Sequence, residues 1–217
     1  MQTIQVITSA LNEEECLPEF YARIISVFKR HPQYAWSLLI CDNGSTDNTW
    51  SFIHRLSQDD PRVRGIRMSR TFSLDAAFTM GLDESDTDAV VLMASDLQDE
   101  PEVIEQFIEL WEQGFDQVVA RVRKKNEVPP IRRLLSKVFY LLANRLTQNM
   151  IPRNVSDFRL MSRNTYFAVR GLRERHRFLR GLIAWTGFKT GVVEIDRPHR
   201  YAGDSKYEKV KLWKVTI

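Results

Sequence analysis

Asp96 and Gln98 stand two residues apart just beyond an apolar run, Ala89–Ala94. A carboxylate and an amide oxygen are hard ligands. Mg2+ or Mn2+ held by one or two such side chains keeps coordination positions for phosphate oxygens and water. A cation held in this way screens the charge that builds on a departing diphosphate. Two other polar clusters also end apolar runs: Asn12-Glu13 after Thr3–Ala10, and Asp42-Asn43-Gly44-Ser45 at the end of Trp36–Asp42. Each cluster has an ordinary alternative. Ser45 or Thr46 would serve as the cap of a following helix, and Asp99 as the cap of one beginning near Pro101. Taken together, three acidic or amide clusters favour a site. Arg121 and Arg123, at the end of the run Gln117–Val122, offer guanidinium forks of the kind that bind phosphate through paired donors. For Arg121 a solvated edge is the competing reading.

The elements that would carry these residues alternate. Apolar, β-branched runs at Thr3–Ala10, Trp36–Asp42, Val63–Met68, Ala89–Ala94 and Gln117–Val122 are separated by helical patterns. The helices are expected near residues 13–30, 46–57, 74–84 and 102–113. A β-α succession implies an α/β fold with a mostly parallel sheet covered on both faces, whose ligands bind beyond the carboxyl ends of the strands. The three clusters fall at such ends and should share one rim. No Gly-x-Gly-x-x-Gly follows the first run, which disfavours a dinucleotide-binding oxidoreductase.

The second half loses the alternation. Ile131 to Gln148 sets Ile131, Leu134, Leu135, Val138, Phe139, Leu142 and Leu146 against Arg132, Arg133, Lys137 and Arg145, the pattern of a basic amphipathic helix. A membrane surface and the protein's own sheet are equally suitable beds for it. The last stretch, Glu208–Ile217, mixes Lys209, Lys211 and Lys214 with Val210, Leu212, Trp213, Val215 and Ile217, and is expected to lead toward membrane-spanning helices. No run in the 217 residues is itself long and apolar enough to span, and the N-terminus lacks a signal-peptide pattern, so a cytosolic, non-spanning chain is expected. Residues 1–108 hold 8 Lys and Arg against 18 Asp and Glu, whereas residues 109–217 hold 23 against 10. The basic half should seek anions: nucleic acid, a phosphorylated ligand or an acidic membrane face. The two cysteines, Cys16 and Cys41, lie in apolar segments and read as buried core in a reducing compartment. No linker divides the chain, so a single domain over 1–217 is expected, with residues 1–123 and 124–217 as its two halves.

Six ordered motifs carry a resemblance: Leu11-Asn12-Glu13-Glu14-Glu15, Asp42-Asn43-Gly44-Ser45-Thr46-Asp47, Ser69-Arg70-Thr71-Phe72, Asp96-Leu97-Gln98-Asp99-Glu100-Pro101-Glu102, Asp157-Phe158-Arg159-Leu160 and Arg200-Tyr201-Ala202-Gly203-Asp204-Ser205-Lys206-Tyr207. Over nearly the whole chain these resemble the polyprenyl-phosphate glycosyltransferases, members of the inverting glycosyltransferase family 2 that includes dolichol-phosphate mannose synthase. The resemblance implies a GT-A fold, a nucleotide-sugar donor, Mg2+ or Mn2+, and polyprenyl phosphate as acceptor at the cytoplasmic face of an anionic membrane, in the making of cell-envelope glycans. UDP-sugars, UDP-glucose foremost, are favoured over GDP-sugars. Nucleic acid drops out as a partner, and a homo-oligomer remains open.

By the same resemblance Ser9, Leu11, Glu13, Asp42, Asn43, Ser95 and Asp96 would hold the nucleotide sugar, and Asp96 and Gln98 the metal. Arg123, Arg200, Ser205 and Lys206 would bind phosphate and acceptor. Asp157 would face the acceptor, which with Asp96 makes it a candidate catalytic residue. A hydroxyl acceptor needs a base. A lipid phosphate, with a second pKa of about 6, is already largely ionised and needs orienting instead. Two departures stand out: the family usually carries an acid two residues before Asp96, where this chain has Ala94, and Asp-Gly-Ser where it has Asn43-Gly44-Ser45. The first makes a leaner metal site. The second exchanges a carboxylate for an amide that both donates and accepts. A saccharide acceptor, or a degenerate nucleotide-sugar-binding scaffold, are the rival readings.

Overall fold

A computed structural model of the chain describes residues 1–123, 155–172, 174 and 177–197. The expected helix at 131–148, the loop bearing Arg200, Ser205 and Lys206, and the stretch 208–217 lie outside the described residues. Seven strands form one sheet: β1 (Thr3–Ala10), β2 (Ala35–Asp42), β3 (Val63–Arg67), β4 (Ala89–Ala94), β5 (Gln117–Val122), β6 (Val155–Ser162) and β7 (Thr190–Ile195), in the order β3-β2-β1-β4-β6-β5-β7. Every pairing is parallel except the two made by β6, which runs antiparallel between β4 and β5.

Alternate residues of the central strands feed two cores, the period expected of a sheet buried on both faces. Ile4, Val6, Leu38, Ile40, Val91 and Met93 pack with α1 (Leu17–Arg30), α2 (Thr49–Asp59) and α4 (Ile104–Glu112). Ile7, Leu39, Cys41, Val90 and Leu92 pack with α3 (Leu74–Asp83), α5 (Arg163–Gly171) and α6 (Leu179–Trp185). Both cysteines are buried and neither forms a disulfide, and burial pushes the Cys41 thiol up to about 12.

Three of the four expected helices begin later than the sequence pattern suggests, while α3 begins at Leu74 as expected. Pro18 belongs to the first turn of α1, where its missing N–H costs nothing, so the helix starts at Leu17 rather than near Glu13. The Glu13 carbonyl closes a turn with the amides of Cys16 and Leu17 instead. Residues 45–48 are likewise held in a loop by side chains from the neighbouring segment, and α2 starts at Thr49 rather than Thr46. A short 3-10 turn, Pro101–Val103, precedes α4.

A buried carboxylate locks the turn between α2 and β3. Asp60 accepts hydrogen bonds from Tyr21 Oη (2.8 Å) and from Arg62 Nε (2.9 Å), Nη2 (2.7 Å) and backbone N (3.0 Å), joining α1 to the edge of the sheet. The Arg62 bonds above all hold its carboxyl well below the ordinary value. A carboxylate depressed in the folded state contributes stability that is complete above its unfolded pKa, about 3.9, and is lost as pH falls through the lower folded value. Asp60→Asn should therefore be less stable than the native chain at pH 7. The difference should close as pH drops below about 4, as read by urea unfolding across pH.

Candidate active site

The parallel strands end on one rim, and β6, being antiparallel, contributes its first residues there. The rim thus gathers the loops after β1, β2 and β4, the ends of β5 and β7, and Ser156-Asp157 at the start of β6.

The loops after β1 and β2 are stitched together by side chains. Asn12, at φ 52°, a conformation that asparagine tolerates better than most residues, donates its backbone N–H to Ser45 Oγ (2.9 Å). Its Oδ1 accepts from the Thr46 amide (2.7 Å). The Glu13 amide donates to Thr49 Oγ1 (2.8 Å), and the Asn48 amide to Glu14 Oε2 (3.0 Å). Ser45 and Thr46 therefore bridge two loops instead of capping α2. Ser9 and Glu13 are buried beneath them.

Asp42 and Asn43 are fully buried. Asp42 Oδ1 accepts the Ser45 amide (3.0 Å), while Oδ2 lies 3.1 Å from Arg67 Nε without an aligned hydrogen bond. Asn43 uses its amide in both directions on one residue: Nδ2 donates to the Phe72 carbonyl (2.9 Å) and Oδ1 accepts the Phe72 amide (2.8 Å). Gly44 follows at φ 77°, and a Cβ there would meet the Arg70 carbonyl carbon at 2.7 Å. The amide at position 43 thus clasps the 70–72 backbone, a role the sequence did not suggest for it.

Beyond β4, Ser95 Oγ donates to the Ser9 carbonyl (3.0 Å). Leu97 then adopts φ 58° with its side chain buried in the core, which leaves Asp96 and Gln98 half-exposed on either side. The backbone N–H of Gln98 donates to Asp96 Oδ1 (3.2 Å). These hard oxygens suit Mg2+ or Mn2+. Among the described residues no group of three His, Cys, Asp or Glu could hold a metal by itself, so a cation here would draw its remaining ligands from phosphate and water.

Asp99 is no helix cap. It is buried and receives a two-pronged fork from Arg197, Nε to Oδ1 and Nη2 to Oδ2, both 2.8 Å. Arg197 Nη2 also donates to Ser156 Oγ (2.6 Å). Burial pushes the Asp99 carboxyl up against the opposing pull of that arginine. Asp157 receives a second fork, from Arg180 Nε (3.1 Å) and Nη2 (2.7 Å). Below it Arg159 is buried and donates to the carbonyls of Asp157 (3.3 Å) and Ser156 (3.0 Å). Asp75 shares this cluster; burial, and next the charge of Asp157, raise its pKa.

Arg123 stands apart. It is exposed, pairs with Glu194 (3.2 Å) and directly follows β5, which is two strands from β4. That is about 10 Å across the sheet. Arg121 is partly exposed, with its Nε buried and without a hydrogen-bond partner. The sequence reading missed Arg197, Arg180, Ser156 and Arg159. Only Arg159 gave a signal, as a lone cation inside an apolar strand that needs acceptors when buried.

The sheet order and the acid-lined rim define a GT-A glycosyltransferase. Residues 5–167 match the family described as Glycosyl transferase family 2. The chain is 36% identical over 214 residues to a prophage bactoprenol glucosyl transferase homolog of Escherichia coli (strain K12), covering 99% of this chain and 70% of that one. It is also 36% identical to the bactoprenol glucosyl transferase of Shigella phage SfV, covering 99% and 69%. Among solved structures, glucosyl-3-phosphoglycerate synthase from Mycobacterium tuberculosis with Mn2+ and UDP-glucose superposes with a TM-score of 0.62 at 19% identity, over 95% of this chain and 73% of that one. The chain belongs to glycosyl transferase family 2.

The Asn43 clasp can be tested directly. Asn43→Asp would set a carboxylate oxygen against the Phe72 carbonyl and remove a donor from a fully buried site. A loss of at least about 1–3 kcal/mol in unfolding free energy is expected, measured by urea denaturation.

Proposed function

We propose that the chain, acting as a single domain, transfers a hexose with inversion from a nucleotide diphosphate sugar, UDP-glucose foremost, to polyprenyl phosphate at the cytoplasmic face of a membrane. The observation that carries the reading is the meeting, on one rim, of an oxygen-donor pair, Asp96 and Gln98, with Asp157 and the arginine forks of Arg180 and Arg197. The names of the bactoprenol relatives support the acceptor, and the neighbour holding Mn2+ and UDP-glucose supports the donor and the metal.

In this reading Ser9, Leu11, Glu13, Asp42, Asn43 and Ser95 line the nucleotide end. Asp42 Oδ2, buried without an aligned donor, is suited to accept an N–H of the base. Asn43 acts there through the backbone it clasps. Asp96 and Gln98 hold Mg2+ or Mn2+, which when bound supplies Lewis-acid screening of the leaving diphosphate. The acceptor's phosphate oxygen attacks the anomeric carbon, and the nucleoside diphosphate departs from the opposite face. Most of the acceleration comes from alignment and electrostatics. Asp157, both of whose oxygens accept from Arg180, orients the acceptor rather than removing a proton. Arg123, with Arg200, Ser205 and Lys206 from outside the described residues, attracts phosphate. At the membrane the arginines face anionic headgroups.

Asp96→Ala should abolish turnover with saturating donor and metal, and Gln98→Ala should raise the metal concentration needed for half-maximal rate. Full turnover by Asp96→Ala would overturn the assignment. A donor screen by thermal shift should favour UDP-glucose over GDP-sugars in Mg2+ or Mn2+, because a ligand that binds only the folded state raises its stability by mass action. With UDP-glucose, polyprenyl phosphate should be glycosylated and free oligosaccharide should not. The opposite preference would make the hydroxyl-acceptor reading the correct one.

A further inference from the structure

Asp99 and Arg197 are 98 residues apart in sequence, yet they form a two-pronged pair at 2.8 Å on both arms, with the Asp99 carboxylate almost wholly removed from water. Asp99 directly follows Gln98. The loop between β4 and the 3-10 turn must pass through Leu97 at φ 58°. A leucine holds that backbone only where its surroundings over-determine it. Three anchors do so here: the buried Leu97 side chain, the bond from Ser95 Oγ to the Ser9 carbonyl before it, and the Arg197 fork after it.

We propose that Arg197 is a positioning residue of the active site: through Asp99 it fixes the Asp96–Gln98 loop in the shape that receives a divalent cation. The inference rests on the reading of Asp96 and Gln98 as the cation's ligands. A hydrogen-bonded fork sets direction as well as distance, which a single ammonium does not. Arg197 also ties in Ser156, the residue before Asp157, so the metal loop and the acceptor end of the rim share one anchor. Its charge is secure there. Burial pulls its pKa down, but the bonds and charge of Asp99, followed by the charges of Asp96 and Asp157, leave it raised.

Removing one partner alone would strand a buried charge and unsettle the fold. The test therefore uses a double amide, Asp99→Asn with Arg197→Gln, in the whole chain, beside Arg197→Lys and Asp96→Ala. Calorimetry with UDP is run with and without Mn2+, and the unfolding temperature is recorded for each variant. The double variant should bind UDP in metal-free buffer as the native chain does. The gain in UDP affinity on adding Mn2+ should fall about tenfold, a loss of about 1.4 kcal/mol, and Arg197→Lys should lie between.

If the double variant keeps the native Mn2+ gain while Asp96→Ala loses it, Arg197 serves folding alone and the proposal fails. If Asp96→Ala also keeps the gain, the ligand reading itself fails and the proposal goes with it. Should the double variant not fold, Arg197→Lys decides. A diminished Mn2+ gain at a native unfolding temperature supports positioning, and an unchanged gain overturns it.

Discussion

Polar groups buried where the strands of a covered sheet end are cut off from water and need partners within the protein. That constraint orders the candidate site. The loops after β1 and β2 satisfy each other through Asn12, Ser45, Thr49 and Glu14. The loop after β2 satisfies the 70–72 segment through Asn43. The loop after β4 is held by Ser95 at one end and Asp99 at the other. Asp42 Oδ2 is left outside this arrangement, buried 3.1 Å from Arg67 Nε without an aligned hydrogen bond.

The charge asymmetry of the chain takes on a different meaning in this light. A basic second half was expected to seek external anions, yet several of its arginines meet acids of the first half: Arg197 with Asp99, Arg163 with Asp86 and Arg170 with Asp83. The last two are largely exposed and contribute little, of the order of 1 kcal/mol or less each. In the pair of Arg197 with Asp99 the carboxylate is buried, and the pair fixes geometry instead. Part of the positive charge is therefore structural. The anion-binding role proposed above rests on arginines that keep exposure, such as Arg123.

Much of this was legible in the sequence because a few short-range rules govern it. Alternating apolar runs gave five strands to within a residue, and polar clusters at their ends marked the rim. Helix starts were misread at α1 and α2, where the competing bonds come from another loop and cannot be seen locally. Asp99 looked like a cap because its partner is 98 residues away. The order of the last strands was beyond reach for the same reason: nothing within Val155–Ser162 announces that it inserts antiparallel between β4 and β5.

That insertion explains the oddest residue of the core. Pairing between β5 and β6 shifts register between Val119 and Arg121, just where the rim begins, and such an irregularity leaves strand carbonyls without ladder partners. Arg159 reaches back along its own strand and donates to the carbonyls of Ser156 and Asp157. Burial draws its pKa down to about 10, so at neutral pH it remains a cation inside the sheet. A neutral side chain there would leave those carbonyls unsatisfied and remove the charge that steadies Asp157 from below. The register shift, the buried arginine and Asp157 thus belong together: residues 156–158 lie between the paired Val155 and Arg159, and Arg159 supplies donors to the carbonyls of Ser156 and Asp157 that stand in that gap.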